Sequence, residues 1–236
     1  MSSPAPRAVP PGVCLIVEAS TAAGSMALLR RTNELAALPR WHVLASVAVP
    51  MGSGRQDVLT PALEPLLAHA GCSLQELRAI ACGAGPGSFT SLRIAGAFAK
   101  GLVFGLDVPL YALPSLLLVS ANEAESLPTG RYLIVADALR DEVYAQPCDV
   151  SPSSDTKMVA DVLRVHESAL QDAAHGRSIV RVEPVEGMHA RATSARFLGD
   201  WSSFGPVSVD EWEPAYGRLA EAQVKWEAAH GRALGD

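Results

Sequence analysis

Two stretches of this chain begin alike. "LIVEASTAAGSMAL" from Leu15 and "LIVADALRDEVYAQ" from Leu133 each run three aliphatic residues, an acidic residue close behind, a turn and a return strand. A repeated hairpin start constrains the fold strongly, because it asks for two copies of one α/β unit instead of a single arbitrary core. The 236 residues suit two units of about 110 each. The expected organisation is a disordered, proline-rich lead-in over residues 1–12, a first domain over 13–113 and a second over 114–236. A last amphipathic helix over 218–232 is free to pack back on the first domain.

Along the chain, "VCLIVEAS" from Val13, "GSMALLRR" and "WHVLASVAVP" read as three strands of an antiparallel meander. Leu59, Leu63, Leu66, Leu67 and Ala70 mark one face of a helix ended by Gly71, with Pro65 expected to bend or delay it. "SLQE" at Ser73–Glu76 is a capping box. "RAIACGAG" reads as a strand, Ser88 to Leu106 as a long helix, and "VPLYAL" as a further strand near Tyr111. In the second half, "RYLIVADALRDEVYAQ" is strand, tight turn, strand, while "KMVADVLRV" and "SIVRVEPV" read as strands. Helices are expected from His166 to Ala174 and from Ala190 to Trp201.

Composition sets limits. With 49% hydrophobic and 19% charged residues the chain can bury a real core, and no apolar run reaches the about 18 residues of a membrane span. Cys14, Cys72, Cys82 and Cys148 have neither C-x-x-C spacing nor histidine partners, which argues against a disulfide scaffold or zinc site and for a reducing cytoplasm. The net charge of −6 and the scattered Arg177, Arg181, Arg191 and Arg196 argue against unaided nucleic-acid binding.

"GAGPGSFTSLR" over Gly83–Arg93 looks like a phosphate turn, since a strand, a glycine turn and a helix can aim backbone N–H groups at an anion. The specific motifs fail. No lysine follows until Lys100, and Gly83, Gly85 and Gly87 give G-x-G-x-G instead of G-x-G-x-x-G. The turn is therefore read as one that orients a helix, with Ser88 or Thr90 capping it. Leu92, Gly96, Ala99 and Val103 then share one face on which a second helix can approach closely; the same face could equally lie on its own sheet. Glu18 and Asp137 read as turn caps.

"LIVEASTAAGSMALL", "LTPALEPLLAHAG", "GAGPGSFTSLRIAGAFAKGLVFGLDVPLYAL", "VADALRDEVY" and "EPAYGRLAEAQVKWE" together resemble the blocks of the TsaB, or YeaZ-type, family of bacterial threonylcarbamoyladenosine biosynthesis in transfer RNA. The resemblance spans most of residues 13 to 227 and is weak over 151–187. It implies two domains like those of actin, Hsp70 and sugar kinases, each opening with a hairpin-started mixed sheet flanked by helices. ATP-hydrolysing members of that superfamily hold phosphate with a D-x-G-T hairpin. The matching Glu18, Ala19, Ser20 and Thr21 lack the glycine, and the H-x-x-x-H metal pair that the related TsaD family carries on its first helix is missing, the corresponding stretch from Arg55 to Ala70 having only His69.

The resemblance thus implies a cytoplasmic subunit with no catalytic residues, metal or cofactor of its own, nucleotide being allowed only at the subunit joint. Its implied partners are TsaD, which transfers the threonylcarbamoyl group to the adenosine beside the anticodon, and the TsaE ATPase. Self-association through the same face is also allowed, and no membrane is implied. The family interface is a four-helix bundle, which maps to Leu59, Leu63, Leu66 and Leu67 on one helix and Leu92, Gly96, Ala99 and Val103 on the next. Arg93 and Lys100 are expected at its edge. The chain departs from the family pattern at Glu18-Ala19-Ser20, at Arg55-Gln56-Asp57 and at Ser91, where glycine is usual. An ATP-binding kinase or hydrolase of the same fold, and a peptidase, are the rival readings; the second has no H-E-x-x-H or G-x-S-x-G element behind it.

Overall fold

The computed structural model describes residues 9–21, 23–32, 41–51, 58–118, 126–153, 155–182, 190–199 and 201–217. The meander forms as the sequence predicts. Strands β1 (Gly12–Glu18), β2 (Ala23–Arg31) and β3 (Trp41–Pro50) pair antiparallel in order. β4 (Leu77–Gly83) and β5 (Leu110–Leu113) then add parallel on the far side of β1, giving the order β3-β2-β1-β4-β5.

The strand period of two explains why these runs are apolar at nearly every position. Val13, Leu15 and Val17 join Met26 and Leu28 on one face, whereas Cys14 and Ile16 join Ala27 and Leu29 on the other. The first face is covered by α1 (Leu59–Ala70) and α2 (Phe89–Leu106). The second is covered by residues from the rest of the chain, including Ile134, Tyr144 and Ala192. Gly71 ends α1 in the left-handed region (φ 62°), where its amide and that of Cys72 reach back to the last carbonyls. Pro65 does not interrupt α1: it sits on the solvent side, opposite the four buried leucines.

The second sheet repeats the plan. β6 (Gly130–Leu139) and β7 (Glu142–Val150) form a hairpin whose turn residues Arg140 and Asp141 both have positive φ, 59° and 60°. β8 (Thr156–Met158) and β9 (Leu163–His166) both pair with β7. β10 (Ser178–Arg181) lies parallel on the free side of β6, as β4 does on β1. The stretch expected as the single strand "KMVADVLRV" is thus two strands divided by a bend, which lets β7 be paired along two parts of its length.

The expected helix from His166 is a 3₁₀ turn at Glu167–Ala169 followed by the short α3 (Leu170–Ala174), with Leu170 and Ala174 packed on Leu133, Val135, Val143 and Ala145. The expected helix from Ala190 to Trp201 is only α4 (Ala190–Thr193) and a 3₁₀ turn at Ser194–Phe197. Tertiary partners take its polar groups. The Ala192 amide donates to Ser25 Oγ (3.1 Å), and the Ala195 carbonyl accepts the Trp201 indole N–H (2.8 Å).

Trp201 stacks on Trp41 at 4.1 Å between ring centroids, and Trp41 in turn donates to the Gly199 carbonyl (2.7 Å). Past that point the chain returns to the first sheet. Val207 N donates to Leu110 O (2.9 Å) and Ala215 N to Ala84 O (2.7 Å), so residues 207–216 pack with the unit they were expected to follow. The disordered lead-in also needs correction at its end: Val9 is fully buried in the core, and β1 begins at Gly12. The rest of the lead-in and the expected helix 218–232 lie outside the described residues.

Candidate functional site

The glycine turn joins β4 to α2, and its polar groups face the chain's own segments. Ala84 N donates to Leu113 O (2.7 Å), Gly85 N to Ser115 Oγ (3.0 Å) and Ser88 N to Ser20 O (2.7 Å). The Gly85 and Ala84 carbonyls accept from Ser115 N (3.1 Å) and Ala215 N (2.7 Å). The three glycines leave space for these neighbours. A Cβ on Gly83 would fall 2.8 Å from Ser115 Oγ and closer still to the Glu18 carboxylate. One on Gly87 would overlap the Ser20 backbone carbonyl, with Ser20 Cβ 2.6 Å away. Gly85 combines φ 87° with the Ala215 carbonyl pressed against it.

Neither expected cap forms. Ser88 occupies the N-cap position of α2 without a capping bond, because its Oγ accepts the hydroxyl of Ser91 (3.1 Å). Thr90 is exposed on the first turn.

Beside the turn lies a buried polar node. Glu18 is 1% exposed; its Oε1 accepts the Ser20 amide (2.6 Å) as the expected turn cap, and its Oε2 has no hydrogen-bond partner. Arg191, 2% exposed on α4, donates to Thr21 Oγ1 (3.3 Å) and Ser115 O (3.1 Å). No sequence signal marks this guanidinium as special, since it acts on a residue 170 positions away. Asp137 Oδ1 caps the second hairpin through Leu139 N (2.7 Å). Among the described residues no cluster of three or more His, Cys, Asp or Glu side chains could hold a metal ion. Burial pushes the thiols of Cys14 and Cys148 up to about 12, and that of Cys82 higher, with the Glu18 charge adding to the effect at Cys82.

The helix faces require a correction. Leu59, Leu63, Leu66 and Leu67 of α1 and Ala99 and Val103 of α2 are all at most 8% exposed and packed on their own sheet, while Leu92 is fully buried against the turn at Gly85. Gly96 is likewise covered, by Pro214 and Trp212. These residues were expected at a partner's surface; instead the apolar stripe that makes a helix amphipathic is buried first within the chain.

The outward stripe of α2 is Arg93, Ala97, Lys100 and Phe104, at spacings i, i+4, i+7 and i+11 that place them in one line. Gly101 and Gly105 lie exposed beside it, and a methyl group added to either would meet nothing within 4 Å. Phe104 is 88% exposed. A large aromatic in that register was the signal available in the sequence.

Arg93 and Lys100 do lie on this stripe, and aromatic rings hold both. Arg93 sits 5.4 Å over Phe89, which is tilted against Tyr216, and Lys100 sits 5.9 Å over Trp212. Between them opens a cavity of about 150 Å³, with Arg93, Gly96, Ala97 and Lys100 on one side and Glu213, Pro214 and Tyr216 on the other. Burial and the Glu213 carboxylate raise the Tyr216 phenol above its usual range. By length and composition α2 could cross a membrane, although Arg93 and Lys100 interrupt its apolar run and so hide that property from a reading of uninterrupted runs.

Two mixed sheets of like topology, each opening on a hairpin, define the class. The family model described as "TsaD: tRNA N6-adenosine threonylcarbamoyltransferase" matches residues 51–190, more than half of the chain, and the chain belongs to that family. Within it the chain is a TsaB, or YeaZ-type, protein. It is 30% identical over 189 residues to the tRNA threonylcarbamoyladenosine biosynthesis protein TsaB of Bacillus subtilis, covering 70% of this chain and 80% of that one. The Haemophilus influenzae TsaB is 33% identical over 135 residues, 55% of this chain and 51% of its own length, so the chain spans about half of that relative. A crystal structure of a Pseudomonas aeruginosa protein described as similar to peptidase YEAZ superposes with a TM-score of 0.66 over 88% of this chain and all of that one, at 23% identity.

Proposed function

We propose that this chain is a non-catalytic subunit of tRNA threonylcarbamoylation that docks a TsaD-type catalytic protein through the outward faces of α1 and α2. The observation that carries the reading is the exposed stripe of α2 ending in Phe104, on a helix that the chain's own core holds beside α1. An 88%-exposed phenylalanine flanked by exposed glycines is surface that a second helix can cover closely. The hairpin and the glycine turn support a subunit without nucleotide chemistry of its own, because the amides of Ser20, Ala84, Gly85 and Ser88 are already taken by Glu18, Leu113, Ser115 and Ser20. The names of the TsaB relatives supply the pathway. A TsaE-type ATPase would join the assembled pair, and the complex would work in the cytoplasm without a membrane.

The test is co-expression with the TsaD-type protein of the same genome, combined with the threonylcarbamoyladenosine content of tRNA in cells whose only copy carries Phe104→Ser. Co-elution of the native pair, and loss of both co-elution and modified base in the variant, is the expected result. Unchanged modification with Phe104→Ser would overturn the docking face. Saturable ATP binding by the isolated chain would favour the kinase-like reading.

A further inference from the structure

We infer that the cavity between α2 and the Glu213–Tyr216 segment receives a carboxylate side chain of the protein that docks on α2. The inference rests on the docking reading above and specifies the partner's chemistry.

Charge is the first argument. The chain carries a net −6, yet the eighteen residues of α2 hold two cations and no carboxylate. The ion pairs among the described residues join Arg164 to Glu142, Arg177 to Asp149 and Arg181 to Glu167, all around the second sheet. Arg93 and Lys100 take part in none of them. Each is held over an aromatic ring instead, a contact that orients a cation without neutralising it. A local positive site on an acidic molecule attracts an acidic group and repels this chain's own like.

Shape is the second. The two cations flank Ala97, whose methyl leaves the space between them open, and the cavity of about 150 Å³ has room for several waters and hence for a carboxylate head. Glu213 across the cavity carries one negative charge against two positive, so a single incoming carboxylate balances the site.

Position is the third. The stripe continues one helical turn beyond Lys100 to Phe104, about 6 Å along the axis. A free small anion would leave that ring in water. A helix with an acidic residue and, three or four positions away, an apolar one fills the cavity and covers Phe104 together.

The experiment measures the affinity of the full chain for the TsaD-type protein at low and high salt, for the native chain and for Arg93→Glu, Lys100→Glu, Glu213→Gln and Phe104→Ser, each shown folded by its unfolding temperature. Each charge reversal should weaken binding about tenfold or more and flatten its salt dependence. Glu213→Gln should tighten binding severalfold, because it removes the one carboxylate lining the cavity that repels the incoming one. Reversals within twofold of native, or a weakening by Glu213→Gln, while Phe104→Ser still abolishes binding, would overturn the carboxylate and leave the docking face standing. Absence of any binding by the native chain would remove the docking face and the carboxylate with it. Light scattering adds one further outcome: charge variants that change only self-association would make the occupant a second copy and overturn the inference.

Discussion

Gly87→Ala tests whether the glycine turn is shaped by the chain itself. Gly87 has no positive φ, so a methyl there is strained only by what it meets. It meets the Ser20 backbone carbonyl, which cannot rotate aside, and Ser20 Cβ at 2.6 Å. That carbonyl also accepts the Ser88 amide at 2.7 Å, so relieving the overlap lengthens the hydrogen bond at the start of α2. Overpacking costs about 1–3 kcal/mol and a weakened hydrogen bond about 0.5–1.5 kcal/mol. The unfolded chain loses some entropy on Gly→Ala, which returns about 0.4–1 kcal/mol. The net is a destabilisation of about 2 kcal/mol, or a fall of about 4–8 °C in Tm for a chain of this size. Urea and thermal unfolding followed by circular dichroism measure it directly. An unchanged Tm accompanied by loss of nucleotide binding would refute the reasoning, since it would mean that the space beside Gly87 is kept for a ligand.

Trp201→Ala removes the largest fully buried side chain among the described residues and its stack on Trp41, and should cost about 3–5 kcal/mol in the same unfolding assays. Thiol titration of the native chain near pH 8 should modify Cys72 alone at a measurable rate, and all four cysteines after unfolding, because Cys14, Cys82 and Cys148 are buried with raised pKa values. Hydrogen bonds from the Ser73 amide and hydroxyl hold the Glu76 carboxyl below its usual range. A depressed carboxylate stabilises above its unfolded pKa and ceases to do so as pH falls through the folded one, so the gap in urea midpoint between native and Glu76→Gln should be widest at neutral pH and close in acid.

The strands and the two long helices were legible because their signals are local. Short apolar runs rich in β-formers mark β1 to β3, and Gly71 stops α1 whatever the rest of the molecule does. The capping box at Ser73–Glu76 also forms as written. What the sequence could not decide was direction. Leu92, Gly96, Ala99 and Val103 make an attractive interface on paper, but the same pattern is what a helix buries within its own chain: Ala99 and Val103 turn to the sheet and Gly96 to Pro214 and Trp212. Once that face is buried, the line through Ala97 and Phe104 is the one left outside. Arg191 and α4 were illegible for a different reason. Their hydrogen bonds run to Thr21, Ser25 and Ser115, and no local window contains both ends. The boundary after residue 113 misled in the same way, because nothing within 207–216 announces that its neighbours are Leu110 and Ala84.

That return of residues 207–216 has a consequence for biosynthesis. The amide of Ala215 closes a turn begun at Ala84, and Pro214 lies against Gly96, so one flank of α2 stays uncovered until residues 207–216 have left the ribosome. A nascent chain stalled after its first five strands would leave part of that helix bare, and would depend on chaperones or on an early-arriving partner to stay out of aggregates.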